Sequence, residues 1–261
     1  MLTFEQIQEY FPRGVAIHPK NMLVEYVQCE LLDSIFKCKE SAALSFIGGT
    51  AIRIMYGGNR FSEDLDFDNF GLSFEDFSHL LDQTVSDMRV KGFVIEFRLV
   101  EKTAYHCYIK FPEILKSSGL DQWARGEKIL VRIDMMRKEK VFSPVVRTLN
   151  AFDVYRDIRV NPLPIILSQK LLAALERKRE KGRDFYDISV LWWKTAPDFS
   201  YIECISGQTE AVFKEQFLAR CRILDFDMLA KDVEPFLVDT GQADRVARFL
   251  PFIEDVFQAA V

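Results

Sequence analysis

Residues 47–68, IGGTAIRIMYGGNRFSEDLDFD, constrain the fold of this chain more than any other stretch. The run LSFI (44–47) just before the glycines is short and apolar, and it reads as a buried strand. Residues 50–56, TAIRIMY, read as a helix stopped by Gly57-Gly58. DLDFDNF (64–70) alternates with period two and reads as a second strand. The order is strand, glycine turn, helix, strand.

Two chemical features sit on this frame. Gly48 and Gly49 let the backbone approach a ligand closely. The helix that follows offers unpaired N–H groups and the positive end of its dipole, which suits a phosphate, and Thr50 adds a hydroxyl. Alone, Gly-Gly-Thr is a weak signal, because such turns occur in many proteins without ligands. Asp64 and Asp66 are two residues apart on a strand, so both carboxylates point to one face. Side by side they repel unless a cation lies between them. Hard oxygen donors of this kind suit Mg²⁺, which takes one or two carboxylates plus substrate phosphates. By itself the pair reads sooner as an exposed strand face. Asp68 continues the alternation and is expected at the strand end in solvent, and Glu63 is expected to point away from the pair.

A third acid interrupts an apolar strand in LVRIDMM. Asp134 would be costly to bury unpaired among Ile129, Leu130, Val131, Ile133 and Met135. A metal would relieve that cost, and so would an ion pair with Arg132 on the same face; both readings stand. Asp121, Asp153 and Asp157 are lesser candidates for the same position.

The remaining pattern sets the architecture. Residues 22–38 read as an amphipathic helix, 73–91 as a helix closed by Gly92, and 93–100, 104–111 and 128–136 as strands. After the break at Asn161-Pro162-Leu163-Pro164 the chain reads as helix over 165–180, 184–194, 207–235 and 242–259. The expected class is α+β: a mixed β-sheet flanked by helices in residues 1–155, followed by a mostly helical domain over 156–261. On the first of those later helices, Lys170, Ala174, Arg177 and Lys181 fall on about one face, with Asp184 and Asp187 beyond. Such a basic row could neutralise a triphosphate. A solvated charged helix is the simpler reading of the row alone.

Composition excludes several classes. With 49% hydrophobic residues and 23 Phe, the chain can fill a sizeable core. It has no apolar run long enough to span a bilayer, and its N-terminus lacks the apolar region of a signal peptide. The net charge of −5 is wrong for a nucleic-acid coat but allows a local basic patch. Five scattered cysteines without a CxxC pair suggest neither a disulfide framework nor a zinc site, so a reduced, cytoplasmic protein is expected. The three His are too dispersed for a His-based metal site.

Gly-Gly-Thr, then Asp-x-Asp, then a distant strand Asp resembles the pattern of the nucleotidyltransferase superfamily that includes DNA polymerase β. Together with the Lys170, Arg177, Lys181 row and its RDFYDI tail, GGTAIRIMYGGNRFSEDLDFD is similar to the AbiEii/AbiGii family of nucleotidyltransferase toxins, MenT-type members included. The resemblance covers roughly residues 20–195, and residues 196–261 carry no matching motif.

The resemblance implies a two-metal nucleotidyltransferase. Asp64, Asp66 and Asp134 would hold Mg²⁺, and Asp134 would also assist deprotonation of the attacking hydroxyl. Gly48, Gly49 and Thr50 would cradle the triphosphate of an NTP. Lys170 and Lys181 would contact its phosphates, Asp184 would match the acid of the last family motif, and Ser62 and Arg60 would make phosphate or strand-end contacts. The helical half would complete the active site. The implied acceptor is RNA, specifically the 3′ end of tRNA, and the implied partner is a neutralising antitoxin, with no membrane involved. Two other readings stay open: an NTP-binding module without turnover, and a phosphotransferase on the same fold.

Overall fold

The computed structural model describes residues 1–12, 17–120, 129–139 and 142–258. It divides into two compact units, one of Met1–Gly57 and Phe61–Val160, the other of Gly58–Arg60 and Asn161–Val261.

The first unit is built on a mixed seven-stranded sheet in the order β3-β4-β5-β2-β1-β7-β6. The strands are β1 (Leu44–Ile47), β2 (Leu65–Asn69), β3 (Glu96–Glu101), β4 (Tyr105–Phe111), β5 (Ile129–Arg137), β6 (Val145–Ala151) and β7 (Val154–Val160). The helices are α1 (Phe4–Gln8), α2 (Pro19–Lys37), α3 (Gly48–Tyr56), α4 (Phe74–Val90) and α5 (Ile114–Ser117). Side chains alternate across the sheet, so each face has its own chemistry. On one face Phe46, Phe67, Cys107, Ile109, Val131, Ile133 and Met135 are buried, and α2 and α4 pack there, with Phe36 against Phe67 and Phe77 stacked on Tyr105. The opposite face carries the polar residues of the same strands.

Local signals place the helices. Pro19 opens α2 behind His18, whose ring accepts from the Lys20 N–H at 3.3 Å. Ser73 caps α4, accepting from the Asp76 N–H at 3.0 Å. Gly57 ends α3 in a left-handed conformation, φ 66°. Asp33 of α2 forms ion pairs with Lys37 (2.9 Å), Lys91 (2.8 Å) and Arg156 (2.8 Å), joining α2 to the end of α4 and to β7.

Asp68 is 1% exposed, not in solvent, because β2 is the middle strand of the sheet and is paired on both sides along its length. The hairpin β6–β7 did not show in the sequence; its turn places Phe152 (φ 53°) and Asp153 (φ 62°) in the left-handed region without a glycine. Asp153 and Asp157 sit on that hairpin, away from β2, where they bond Tyr10 and Thr148. Asp121 lies outside the described residues.

The second unit contains α6 (Leu163–Glu176), α7 (Gly182–Leu191), α8 (Phe199–Ser206), α9 (Glu210–Cys221), α10 (Phe226–Val233), α11 (Asp244–Ala247) and α12 (Phe249–Gln258). Its core is aromatic. Phe185 meets Phe226 and Phe249 edge-on at 5.2 and 5.0 Å, and Phe217 stacks on Phe213 at 5.8 Å. Gly182 starts α7 where a β-carbon would run into the Leu229 carbonyl, and its N–H donates to Asp232 at 2.9 Å. Helix α6 ends at Glu176, earlier than the expected 180, because Arg177 turns extended (ψ 127°). Arg177 and Lys181 therefore do not continue the helical face of Lys170; Lys181 instead precedes α7.

Candidate active site

The register of the central strands gathers the acids. Asp66 on β2 lies directly opposite Asp134 on its parallel neighbour β5, and Ile47 of β1 lies opposite Asp66 on the other side. Residues opposite one another in register share a face, so Asp66 and Asp134 point the same way; Asp64 precedes β2 and joins them through its ion pair with Arg132. All three are half-buried.

Arg132 connects them. Its guanidinium reaches Asp64 at 2.9 Å and Asp134 at 3.0 Å. Burial opposes its charge, but the charges of Asp64, Asp134 and Asp66 outweigh that and hold its pKa above the ordinary arginine value. His106 on β4 lies opposite Asp134, and its Nδ1 is 2.7 Å from the Asp134 carboxylate, within hydrogen-bond distance. Asp134 is thus held from two sides. The ion pair of Arg132 with Asp134 is present, and it extends to Asp64, which sequence spacing did not show.

Helix α3 begins at this cluster. Gly48 has φ 79°, and a β-carbon there would fall on the Asp66 carboxylate oxygen. Thr50 is fully buried and its hydroxyl donates to the main-chain carbonyl of Asp64, so it fixes the segment leading into β2. Ser62 is half-buried, and its carbonyl accepts from Gln28 at 3.0 Å. Glu63 is exposed.

Asp66 and Asp134, opposite one another on one face, are donors of the kind a divalent cation takes. Among the described residues no three His, Cys, Asp or Glu side chains stand close enough to hold a metal unaided. Mg²⁺ does not need such a cage, since it is bound by one or two carboxylates and completed by phosphates and water. A phosphate approaching the start of α3 would meet the Asp66 carboxylate, an anion beside an anion, and a cation between them removes that repulsion.

In the second unit the residues picked from sequence form an ion network. Lys170 lies between Asp184 (3.1 Å) and Asp187 (2.8 Å), and Arg177 reaches Asp184 at 3.3 Å. Arg60 is 2% exposed and clamps Asp187 with two hydrogen bonds of 2.6 Å. Burial would raise the Asp187 pKa, but Arg60 and Lys170 outweigh it and hold the carboxyl below its ordinary value. Arg60 is therefore committed to this carboxylate, not to a strand-end phosphate contact. Lys181 is half-buried. Two of the three ammonium donors of Lys170 are accounted for by Asp184 and Asp187.

Sequence reasoning missed His106 as part of the site. Its alternation with Tyr108 on a strand was readable, but which strand lies beside it is a long-range fact.

A glycine turn at a helix start, with acids on two adjacent central strands of a mixed sheet, is the arrangement that the resemblance to nucleotidyltransferases leads one to expect. The solved structures agree on the fold. JHP933 from Helicobacter pylori aligns at 16% identity over 94% of this chain and 96% of its own, TM-score 0.56. MenT4, a nucleotidyltransferase toxin from Mycobacterium tuberculosis H37Rv, aligns at 17% identity over 98% and 90%, TM-score 0.59. A putative nucleotidyltransferase from H. pylori aligns at 16% over 94% and 99%, TM-score 0.58. No curated protein sequence matches significantly. The family model described as nucleotidyl transferase AbiEii toxin, Type IV TA system, matches residues 30–258. The chain belongs to this AbiEii family of nucleotidyltransferases. Among the described residues no helix is long and apolar enough to cross a membrane.

Proposed function

We propose that the protein transfers a nucleotide from an NTP to the 3′ end of an RNA, tRNA in particular, as the Mg²⁺-dependent toxin of a toxin–antitoxin pair in the cytoplasm. The observation that carries the proposal is the register of Asp66 against Asp134, with Gly48 packed on Asp66. Asp64, Asp66 and Asp134 are the proposed Mg²⁺ ligands; when bound, the ions stabilise the attacking and leaving oxygens of an in-line displacement.

The chain's own groups have separate tasks in this reading. The main-chain N–H groups of Gly48, Gly49 and Thr50 receive the triphosphate at the start of α3. Asp134 orients and accepts the proton of the attacking hydroxyl, while His106 and Arg132 keep its carboxylate in place. Arg132 also balances the charge of the acids before the nucleotide arrives. Lys170 has an ammonium donor beyond those given to Asp184 and Asp187, and by the family resemblance it contacts phosphate, with Asp184 orienting it and Lys181 and Ser62 adding contacts. The neutralising partner is a cognate antitoxin protein.

The test is incubation with labelled NTPs, Mg²⁺ and total tRNA. Labelled RNA is expected from the wild type and not from Asp64→Ala or Asp66→Ala. Labelling that survives both substitutions would refute the assignment.

A further inference from the structure

The acid-bearing face of the sheet continues outward from β2. Arg98 of β3, Tyr108 of β4 and Arg132 of β5 lie opposite one another in register, one rung across three strands. Arg132 ends that rung at Asp64, 2.9 Å away. The next rung is Glu96, Lys110 and Leu130. Both rungs line an open cleft of about 340 Å³, formed by Glu96, Phe97, Arg98, Tyr108, Lys110 and Leu130. Leu130 in its lining is 44% exposed. The Arg98 guanidinium lies over the Tyr108 ring, 5.9 Å from its centre.

We propose that this cleft binds a single-stranded polynucleotide: the nucleotides just upstream of the acceptor end that reacts at the acids. The inference rests on the nucleotidyl-transfer reading and deepens it. The chemistry of the lining favours this occupant. The Arg98 guanidinium, itself over the Tyr108 ring, offers a plane on which any base can stack with the ring beneath it. Arg98 and Lys110 supply cations for backbone phosphates, against the single acid Glu96. Leu130 adds apolar contact. Three strand spacings separate β3 from β2, roughly 14 Å, a distance that a few nucleotides span. A strand lying across the rungs would bring its terminal hydroxyl toward Asp64 and Asp134 while its upstream bases stay on Tyr108.

The experiment is fluorescence anisotropy with a labelled short single-stranded oligoribonucleotide, a matched oligodeoxyribonucleotide and a duplex, without NTP, across a salt series. Wild type is expected to bind the single strands more tightly than the duplex. Arg98→Ala with Lys110→Ala should reduce the log–log salt slope by about 1.4, two phosphate contacts' worth for a single strand. Tyr108→Leu should weaken binding about tenfold or more at every salt, and Tyr108→Phe should restore it. Tighter binding of the ribonucleotide strand names RNA as the source of the ligand; tighter binding of the deoxyribonucleotide strand names DNA. Absence of binding by wild type, preference for duplex, or unchanged affinity and slope in the variants would overturn the proposal, absence leaving the face to a protein partner. Binding lost in the variants while no protein ever transfers a nucleotide would leave the cleft standing and remove the catalytic reading instead.

Discussion

Gly48 and Asp66 are fitted to each other: the Asp66 carboxylate occupies the place a β-carbon on residue 48 would take, and Gly48 itself has φ 79°. Gly48→Ala is therefore strained in its backbone and displaces the acid. Chemical denaturation should show a loss of roughly 1–3 kcal/mol, the cost of one strained residue. Nucleotide transfer should fall far more than stability, toward the level of the Asp66→Ala protein. Transfer at wild-type level in a folded Gly48→Ala protein would show that this contact does not matter.

Much of this site was readable from local sequence. LSFI (44–47) and the helix before Gly57 emerge as expected, with α3 starting at Gly48, earlier than the helical pattern suggests. The elements around Asp64, Asp66 and Asp134 follow from period-two alternation. What was not readable is pairing. Nothing local places His106 opposite Asp134 or carries Arg132 to Asp64, because strands distant in sequence meet only through the sheet. The hairpin at 145–160 lacks a glycine turn, and the side chains of β6 are mostly exposed, so neither turn chemistry nor alternation announced it. The basic row from Lys170 breaks because Arg177 leaves the helix without a proline or glycine signal. Alternation alone leaves Asp68 in solvent, whereas β2 lies in the middle of the sheet, a tertiary property, and buries it.

Among the described residues His106 reaches the site through its hydrogen bond to Asp134. It is a positioning residue, and partners of this kind typically contribute 10–100-fold to metal affinity or activity. His106→Phe should lower transfer by about that factor while the melting temperature changes little. His106→Asn, which still offers a donor, should recover part of the loss. Equal rates for all three proteins would remove His106 from the site.

Arg60 and Asp187 are both almost fully buried. Removing one partner of such a pair leaves a charge stranded, at a cost of about 3–5 kcal/mol. Arg60→Met should show that loss in denaturant unfolding. The double variant Arg60→Met, Asp187→Leu should be more stable than Arg60→Met alone, because no carboxylate is then left without its guanidinium. A single variant as stable as wild type would show that the pair contributes nothing.

Acid should loosen the first unit through Asp33. Burial raises its pKa, but hydrogen bonds and charges from Lys91, Lys37 and Arg156 outweigh this and bring it from the ordinary 3.8 to about 2. A carboxyl whose folded pKa is depressed adds stability above the unfolded pKa and loses it as pH falls through the folded one. The stability contributed by Asp33 should therefore be complete above about pH 4 and vanish toward pH 2. Asp87, where burial is likewise outweighed by Ser34, Lys37 and Lys91 and the pKa held below its ordinary value, contributes with the same sign, its stability lost as pH falls. Unfolding free energies measured across that range should slope more steeply for wild type than for Asp33→Asn; parallel curves would show that Asp33 is not the source.

The transferred group decides between nucleotidyl and phosphoryl transfer. Wild type and Asp134→Asn are compared with α-labelled and γ-labelled NTP, Mg²⁺ and total tRNA. Acceptor labelled from the α-phosphate only, and lost in Asp134→Asn, is expected if the acids on β2 and β5 form one nucleotidyl-transfer centre. Acceptor labelled from the γ-phosphate, or α-label that persists in Asp134→Asn, would overturn it.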